Sequence, residues 1–141
     1  MTAWLGVVSR AHVQRGVSGG FAQVCHGKAA PLRRMQPGDW LIYYSPTTEM
    51  GGEALRNFTA LGEVVDDEVF QHDMGGGFVP FRRSIRYAKA REISLAALKD
   101  QLDLCAQSNW GMVLRRGHVK LSPRDFATIA GAMGVTLLVA A

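Results

Sequence analysis

Apolar residues fall in short runs along the chain, separated by glycine, proline or charge. Ala3 to Val8, AWLGVV, is an unbroken run that fits a buried strand. Ser9 then offers a cap for a short helical segment, RAHVQRGV, and Gly16, Gly19 and Gly20 break regular structure after it. Pro31 suits the first turn of a helix PLRRM, where its missing N–H would be unpaired anyway. Pro37-Gly38-Asp39 makes a turn, with φ fixed by the proline and positive φ open to the glycine. Trp40 to Tyr44 is the clearest strand of the first half, with Pro46 ending it.

Residues 46–56 read as an exposed loop. Phe58 to Phe70 is a long strand, bent or bulged at Gly62. Within it, Asp66-Asp67-Glu68 marks a turn or exposed edge, because consecutive carboxylates on a strand cannot converge on one ion. Gly75-Gly76-Gly77 is a flexible loop leading into FVPFRRSIRYAKAREI, a strand with one polar face. Ser94 starts a helix with Leu95, Leu98 and Leu102 at helical spacing, and MVLRR after Trp110 reads as another short strand. Ser122-Pro123 opens a last helix, with Asp125 as a capping partner, Phe126, Ile129, Ala130 and Met133 as its buried stripe, and Gly134 as its stop. The tail VTLLVAA is either an edge strand or loose. About six strands and three or four helices, without long helices between the strands, predict an α+β fold. Its expected form is a small, mostly antiparallel β-barrel with peripheral helices.

At 141 residues the chain is expected to be one domain, 1–141. No apolar run reaches the roughly 18 residues of a membrane span, and no charged leader precedes the first apolar run. Cys25 and Cys105 lack CxxC spacing, so free thiols and a cytoplasmic location are expected, with no membrane partner. Charge adds a finer point. The net value is +4, but residues 47–80 are strongly acidic while both ends of the chain are basic, which suits a domain with one side facing an anion.

The stretch Gly19 to Pro46 concentrates candidate chemistry, with Phe21, Trp40, Tyr43 and Tyr44 near His26, Lys28, Arg33 and Arg34. Flat apolar faces beside fixed positive charge suit a planar, anionic partner such as a nucleotide or nucleic-acid base. Catalysis is not expected. Cys25 and His26 are adjacent and point apart on an extended segment, and such a cysteine is more often a small buried hydrophobe than a nucleophile. His12, His26, His72 and His118 show no metal-ligand spacing with the cysteines, and no glycine cluster completes a phosphate loop. Trp4 reads as core. Trp110, between Asn109 and Gly111, and Phe81, beside Arg82 and Arg83, fit either core packing or a base-stacking face next to a phosphate clamp.

Taken in order, Trp4-Leu5-Gly6-Val7-Val8-Ser9, Gly20-Phe21 to Lys28, Pro31-Leu32, Gly38-Asp39-Trp40, Tyr43-Tyr44-Ser45-Pro46, Phe58-Thr59-Ala60, Phe78 to Arg83, Asn109-Trp110-Gly111 and Asp125-Phe126 resemble the EVE domain. That family belongs to the PUA-like superfamily and is related to the YTH domain. The match covers nearly the whole chain and is nearest to the stand-alone bacterial EVE proteins. The resemblance implies a PUA-like barrel whose surface pocket takes a modified base from DNA or RNA, without a cofactor. It assigns Ser9, Phe21, Trp40, Tyr44, Ser45, Phe81 and Trp110 to the base pocket. Lys28, Arg33, Arg34, Arg82 and Arg83 would hold phosphates. Two alternatives stand beside it: a sensor of a free nucleotide or other small molecule, using the same pocket, and a cysteine- or histidine-based enzyme on the same scaffold.

Overall fold

Seven strands form a single mixed sheet in the computed structural model, which describes residues 1–135. The strands are β1 (Ala3–Val7), β2 (Phe21–Ala22), β3 (Trp40–Thr47), β4 (Ala54–Gln71), β5 (Phe81–Tyr87), β6 (Ile93–Ser94) and β7 (His118–Leu121). Their order is β2-β5-β4-β3-β1-β7, with β6 added against the start of β4. β1 and β3 run parallel, and every other ladder is antiparallel. The α+β class is as expected; the closed antiparallel barrel is not what forms. β2 has only two residues before the chain turns away, too few for a ladder to close the ring. The segments flanking its two ends nevertheless touch: the Cys25 thiol, just past β2, donates to the Arg116 carbonyl, just before β7, at 3.6 Å.

Alternation along β1 and β3 divides two cores. Ala3, Leu5, Ile42 and Tyr44 face one side, under α3 (Leu95–Leu98), α4 (Asp103–Ala106), α5 (Trp110–Leu114) and α6 (Pro123–Ala132). Trp4, Leu41 and Tyr43 face the other, under α1 (Arg10–Gly19) and α2 (Ala29–Arg34). Gly6 is required on this second side, because a Cβ there would stand 2.9 Å from the Tyr43 ring. The helix signals act as their chemistry dictates. Ser9 and Ser122 accept from the His12 and Asp125 amides, and Gly20 ends α1 in the left-handed conformation. Asp125 gives only its amide to the Ser122 cap and does not act as the expected capping partner: its buried carboxylate accepts from the Asp103 and Leu104 amides at 2.7 and 2.9 Å, fastening α4 to α6.

Several expected boundaries move. Pro46 lies inside β3, tolerated at a register shift between Ser45 and Thr47. The 46–56 loop therefore shrinks to the few residues between β3 and β4. MVLRR falls within and just after α5, and the strand comes later, at β7. The glycine loop is a tight hairpin, closed by Phe78 N–H to Gly75 O and Met74 N–H to Phe78 O. The expected tail lies outside the described residues. Gly62 keeps regular pairing on both sides, and the register of β4 against β5 shifts between Val64 and Val69 instead.

That shift exposes the Asp66 carbonyl to Arg83, whose side chain is almost fully buried. Arg83 Nε and Nη2 both donate to Asp66 O, and Nη1 donates to the carbonyls of Leu32 and Met35 at the end of α2. One guanidinium thus joins α2, β4 and β5. Replacing Arg83 with Met strands these carbonyls in the interior, and should lower stability by about 2–4 kcal/mol. Urea unfolding of the variant checks this; an unchanged midpoint would mean that the clasp contributes nothing.

Candidate nucleic-acid interface

Gly19 and Gly20 end α1 and turn the chain into β2, where Phe21 pairs with Ser84 and Ala22 with Arg83. Ala22 points into the second core. Phe21 therefore emerges on the opposite face, where Arg82 of β5 also lies. The Arg82 guanidinium stands 3.7 Å from the Phe21 ring centroid, a cation–π distance. Its Nε donates to the Gln23 side-chain oxygen at 3.1 Å. His12 Nε2 lies 2.7 Å from the Gln23 carbonyl. A carbonyl can only accept, so Nε2 carries the proton and Nδ1 is left as the ring's acceptor. Burial holds His12 below its usual pKa, and the nearby Arg15 and Arg82 charges add to this, against the Gln23 bond. At neutral pH the imidazole is uncharged.

The chain after Gln23 is forced into an unusual shape. Cys25, His26 and Gly27 have φ of 50°, 60° and 81°, three successive left-handed residues of which only one is glycine. Such strain needs support from the surroundings and clusters at functional sites. Gly27 provides the support, because a Cβ there would overlap Pro80 and lie 3.6 Å from Phe78 Cε1. The turn thus seats against the β4–β5 hairpin, whose tip exposes Phe78 and Val79. Burial pushes the Cys25 thiol up, with Lys28 and Arg34 pulling the other way, so the thiol is the prevailing form at neutral pH.

Beyond this turn, Lys28 and α2 add exposed cations. The Arg33 guanidinium lies 5.7 Å from the Phe81 ring centroid. Ion pairs among the described residues join Arg10 to Glu92, Arg86 to Glu63 and Arg124 to Asp103; none involves Arg15, Lys28, Arg33, Arg34, Arg82 or Lys120. Burial, with the Arg15 charge beside it, lowers the Arg82 pKa. An anion would relieve that penalty.

The expected site residues divide between these surroundings. Phe21 and Arg82 share one face of β2 and β5, whereas Phe81, one residue back along β5, packs against the second core with Arg33 over its ring, and Lys28 follows the strained turn. Trp40 packs on Phe126, with ring centroids 6.0 Å apart, and Tyr44 on Phe58 at 5.6 Å, both in the first core. Trp110 packs against the same core, with Lys99 Nζ 5.3 Å from its ring centroid. Ser45 is buried and bonded to the Thr59 hydroxyl, while Ser9 caps α1. Arg83 is spent on the clasp and meets no solvent. Gln23, His12 and Arg15 are neighbours of Arg82 that the sequence reading did not include. The alternation F-A-Q was the available signal for Gln23, since it places Gln23 on the face of Phe21 two positions on.

Arg34 points elsewhere, onto an open cleft of about 770 Å³ lined also by Met1, Thr2, Trp4, Gln36, Gly38, Asp39 and Lys120. Trp4 is stacked by His118, with centroids 4.8 Å apart and planes 11° apart. Its Nε1 donates to Asp39 at 3.0 Å, and the Thr2 and Gln36 amides donate to the same carboxylate at 2.9 Å each. Burial alone would raise the Asp39 pKa; these donors and the terminal ammonium more than offset it and hold the carboxyl below its usual range. His118 is buried, with neither ring nitrogen hydrogen-bonded among the described residues. Burial first, and then the Arg34 charge, lower its pKa to about 4.

The chain matches the EVE domain over residues 2–132, and it belongs to that family. A UPF0310 protein of Bacillus subtilis, YdcG, is 46% identical over 136 residues, spanning 95% of this chain and 93% of that one. Among solved structures, human THYN1 in complex with 5-methylcytosine-containing DNA superposes with a TM-score of 0.54 at 13% identity, covering 97% of this chain and 100% of that one. The YTH domain of Zygosaccharomyces rouxii MRB1, in complex with N6-methyladenosine RNA, gives 0.50 at 14% identity, over 71% of this chain and 67% of that one. These two likenesses are likenesses of fold.

His118 sets an acid limit on the fold around the cleft. Its folded pKa of about 4 lies below the unfolded value of 6.5, so the unfolded chain takes up this proton first. Its contribution is complete above pH 6.5 and is lost as pH falls towards 4, by about 3 kcal/mol at most. Urea midpoints measured between pH 7 and 4 should fall less steeply in His118→Phe than in the parent; parallel curves would show that His118 is not held neutral.

Proposed function

We propose that this protein binds nucleic acid and reads a modified base on the face formed by Phe21, Gln23, His12 and Arg82. The observation that carries the reading is the Phe21–Arg82 stack, an aromatic ring beside a guanidinium with no ion-pair partner among the described residues, next to a turn of three left-handed residues. A base can stack on such a surface. The Gln23 side-chain nitrogen, whose oxygen is held by Arg82, can donate to a base edge. Neutral His12 can accept at Nδ1. Lys28, Arg33 and Arg34 supply the positive field that a polynucleotide needs, and Phe81 supports Arg33 from below. Membership of the EVE family, and the methylated nucleic acids bound by the YTH and THYN1 neighbours, support the same reading.

The proposed role is recognition without chemistry. No group of three or more His, Cys, Asp or Glu that could hold a metal occurs among the described residues, and the Cys25 thiol is held in its unreactive form. No helix among them is long and apolar enough to cross a membrane.

Base–aromatic stacking is worth about 1–3 kcal/mol per base, so Phe21→Ala should weaken a modified oligonucleotide by roughly 5- to 150-fold. The measurement is a titration of modified and unmodified DNA and RNA oligonucleotides at two salt concentrations. Equal binding by Phe21→Ala would remove the base from this face. If Trp110→Ala instead shows the loss, the base lies on the side of the first core. Affinity should fall steeply with salt, and a flat response would favour a free small molecule over a strand.

A further inference from the structure

The cleft over Trp4 is distinct from the Phe21–Arg82 face, and α2 connects the two. Lys28 precedes that helix, Arg33 turns to Phe81, and Arg34 reaches the cleft. The charge in the cleft is one-sided. Arg34 and Lys120 bring positive charge, and neither has an ion-pair partner among the described residues. The one carboxylate in its lining, Asp39, is already engaged by three donors. Nor does Trp4 present a stacking surface: His118 stacks on it, Lys120 Nζ lies 5.6 Å from its ring centroid, and only 5% of the residue is exposed. A broad cationic cleft with its aromatic ring already covered suits a phosphate and not a base.

We propose that the Arg34–Lys120 cleft is a second phosphate-binding site, which takes the sugar–phosphate backbone flanking a base held near Phe21. This rests on the base-binding reading above. Arg33 and Arg34 are consecutive on α2 yet turn to different surroundings, the Phe81 ring and the cleft, so a strand reaches the cleft by continuing past its target nucleotide. The cleft therefore adds affinity and register without sequence information. Selectivity stays with Phe21, Gln23 and His12.

A flank-length series tests this. Oligonucleotides carrying one modified base, lengthened a nucleotide at a time on either side, are titrated into the parent, Arg34→Ala and Lys120→Ala at several salt concentrations. Both substituted residues are exposed, so the fold is retained. The parent should gain affinity once one flank reaches a threshold length, and the variants should not. Each substitution should also flatten the slope of log K against log salt by about 0.7 for a single strand, with an unchanged ratio of modified to unmodified binding. Variants with the parent's affinity and slope across the series would overturn the proposal. If no oligonucleotide binds the parent, the base-reading function fails first, and an NMR titration with inorganic pyrophosphate then examines the cleft alone. Unmoved Gly38 and Lys120 amides would overturn the phosphate site itself. Shifts there, without any effect of flank length, would overturn the strand anchor and leave a small phosphorylated ligand.

Discussion

A guanidinium buried without a hydrogen-bonded carboxylate holds this molecule's working parts in place. Burial lowers the Arg83 pKa, with the charges of Asp66, Asp67 and Asp39 acting in the opposite direction. Its direct hydrogen bonds are all to backbone carbonyls, of Leu32, Met35 and Asp66. The dependence is mutual. The register shift in β4 supplies one acceptor, the end of α2 supplies two, and Arg83 satisfies groups that would otherwise be orphaned in the interior. Because Arg82 is the next residue back along β5, the clasp also fixes where the neighbouring guanidinium emerges, on the opposite face beside Phe21. Two adjacent arginines thus do different work: one is sunk as a structural cross-link, and the other is left facing the aromatic ring.

The interface has a similar economy. β2 is an edge strand of two residues, anchored from behind by the Tyr87 hydroxyl donating to the Phe21 carbonyl at 2.8 Å and the Gln23 amide donating to the Tyr43 hydroxyl at 3.3 Å. The two tyrosine rings lie 6.5 Å apart, and burial raises the pKa of both, keeping them neutral donors and acceptors. A tyrosine pair, one ring buried and one half-buried, therefore positions a short edge strand.

Much of the fold was legible in the chain, because its local signals have local causes. The caps at Ser9 and Ser122, the turn at Pro37-Gly38 and the strand at Trp40 act alone, and they form as expected. What escaped depends on partners distant in sequence. MVLRR has strand-like composition but closes a helix against Leu104 and Phe126. Gly62 looked like the bend, yet the shift comes at Val64 to Val69, where Arg83 needs a carbonyl. The site split for the same reason. Phe21 with Arg82 could be anticipated as an aromatic beside a cation, whereas Trp40 and Tyr44 carry equally suggestive side chains that alternation turns into the first core. Composition identifies which residues could stack on a base; only the sheet register decides which face they occupy.

One ladder in this sheet breaks the antiparallel rule, and it has a consequence for how the protein can change. Parallel neighbours such as β1 and β3 cannot be joined by a tight turn, so the chain must leave one end of the sheet and re-enter at the other. That detour, residues 8–39, contains α1, β2, the strained turn and α2, and with them most of the candidate contact surface. The two strands it connects are pinned to each other by their own hydrogen bonds. New contacts can therefore be tried on an excursion whose ends are already fixed. A lineage could reshape the exposed positions of this excursion, whereas Val13, Ala22, Val24, Leu32 and Met35 complete the second core and tie it to the fold.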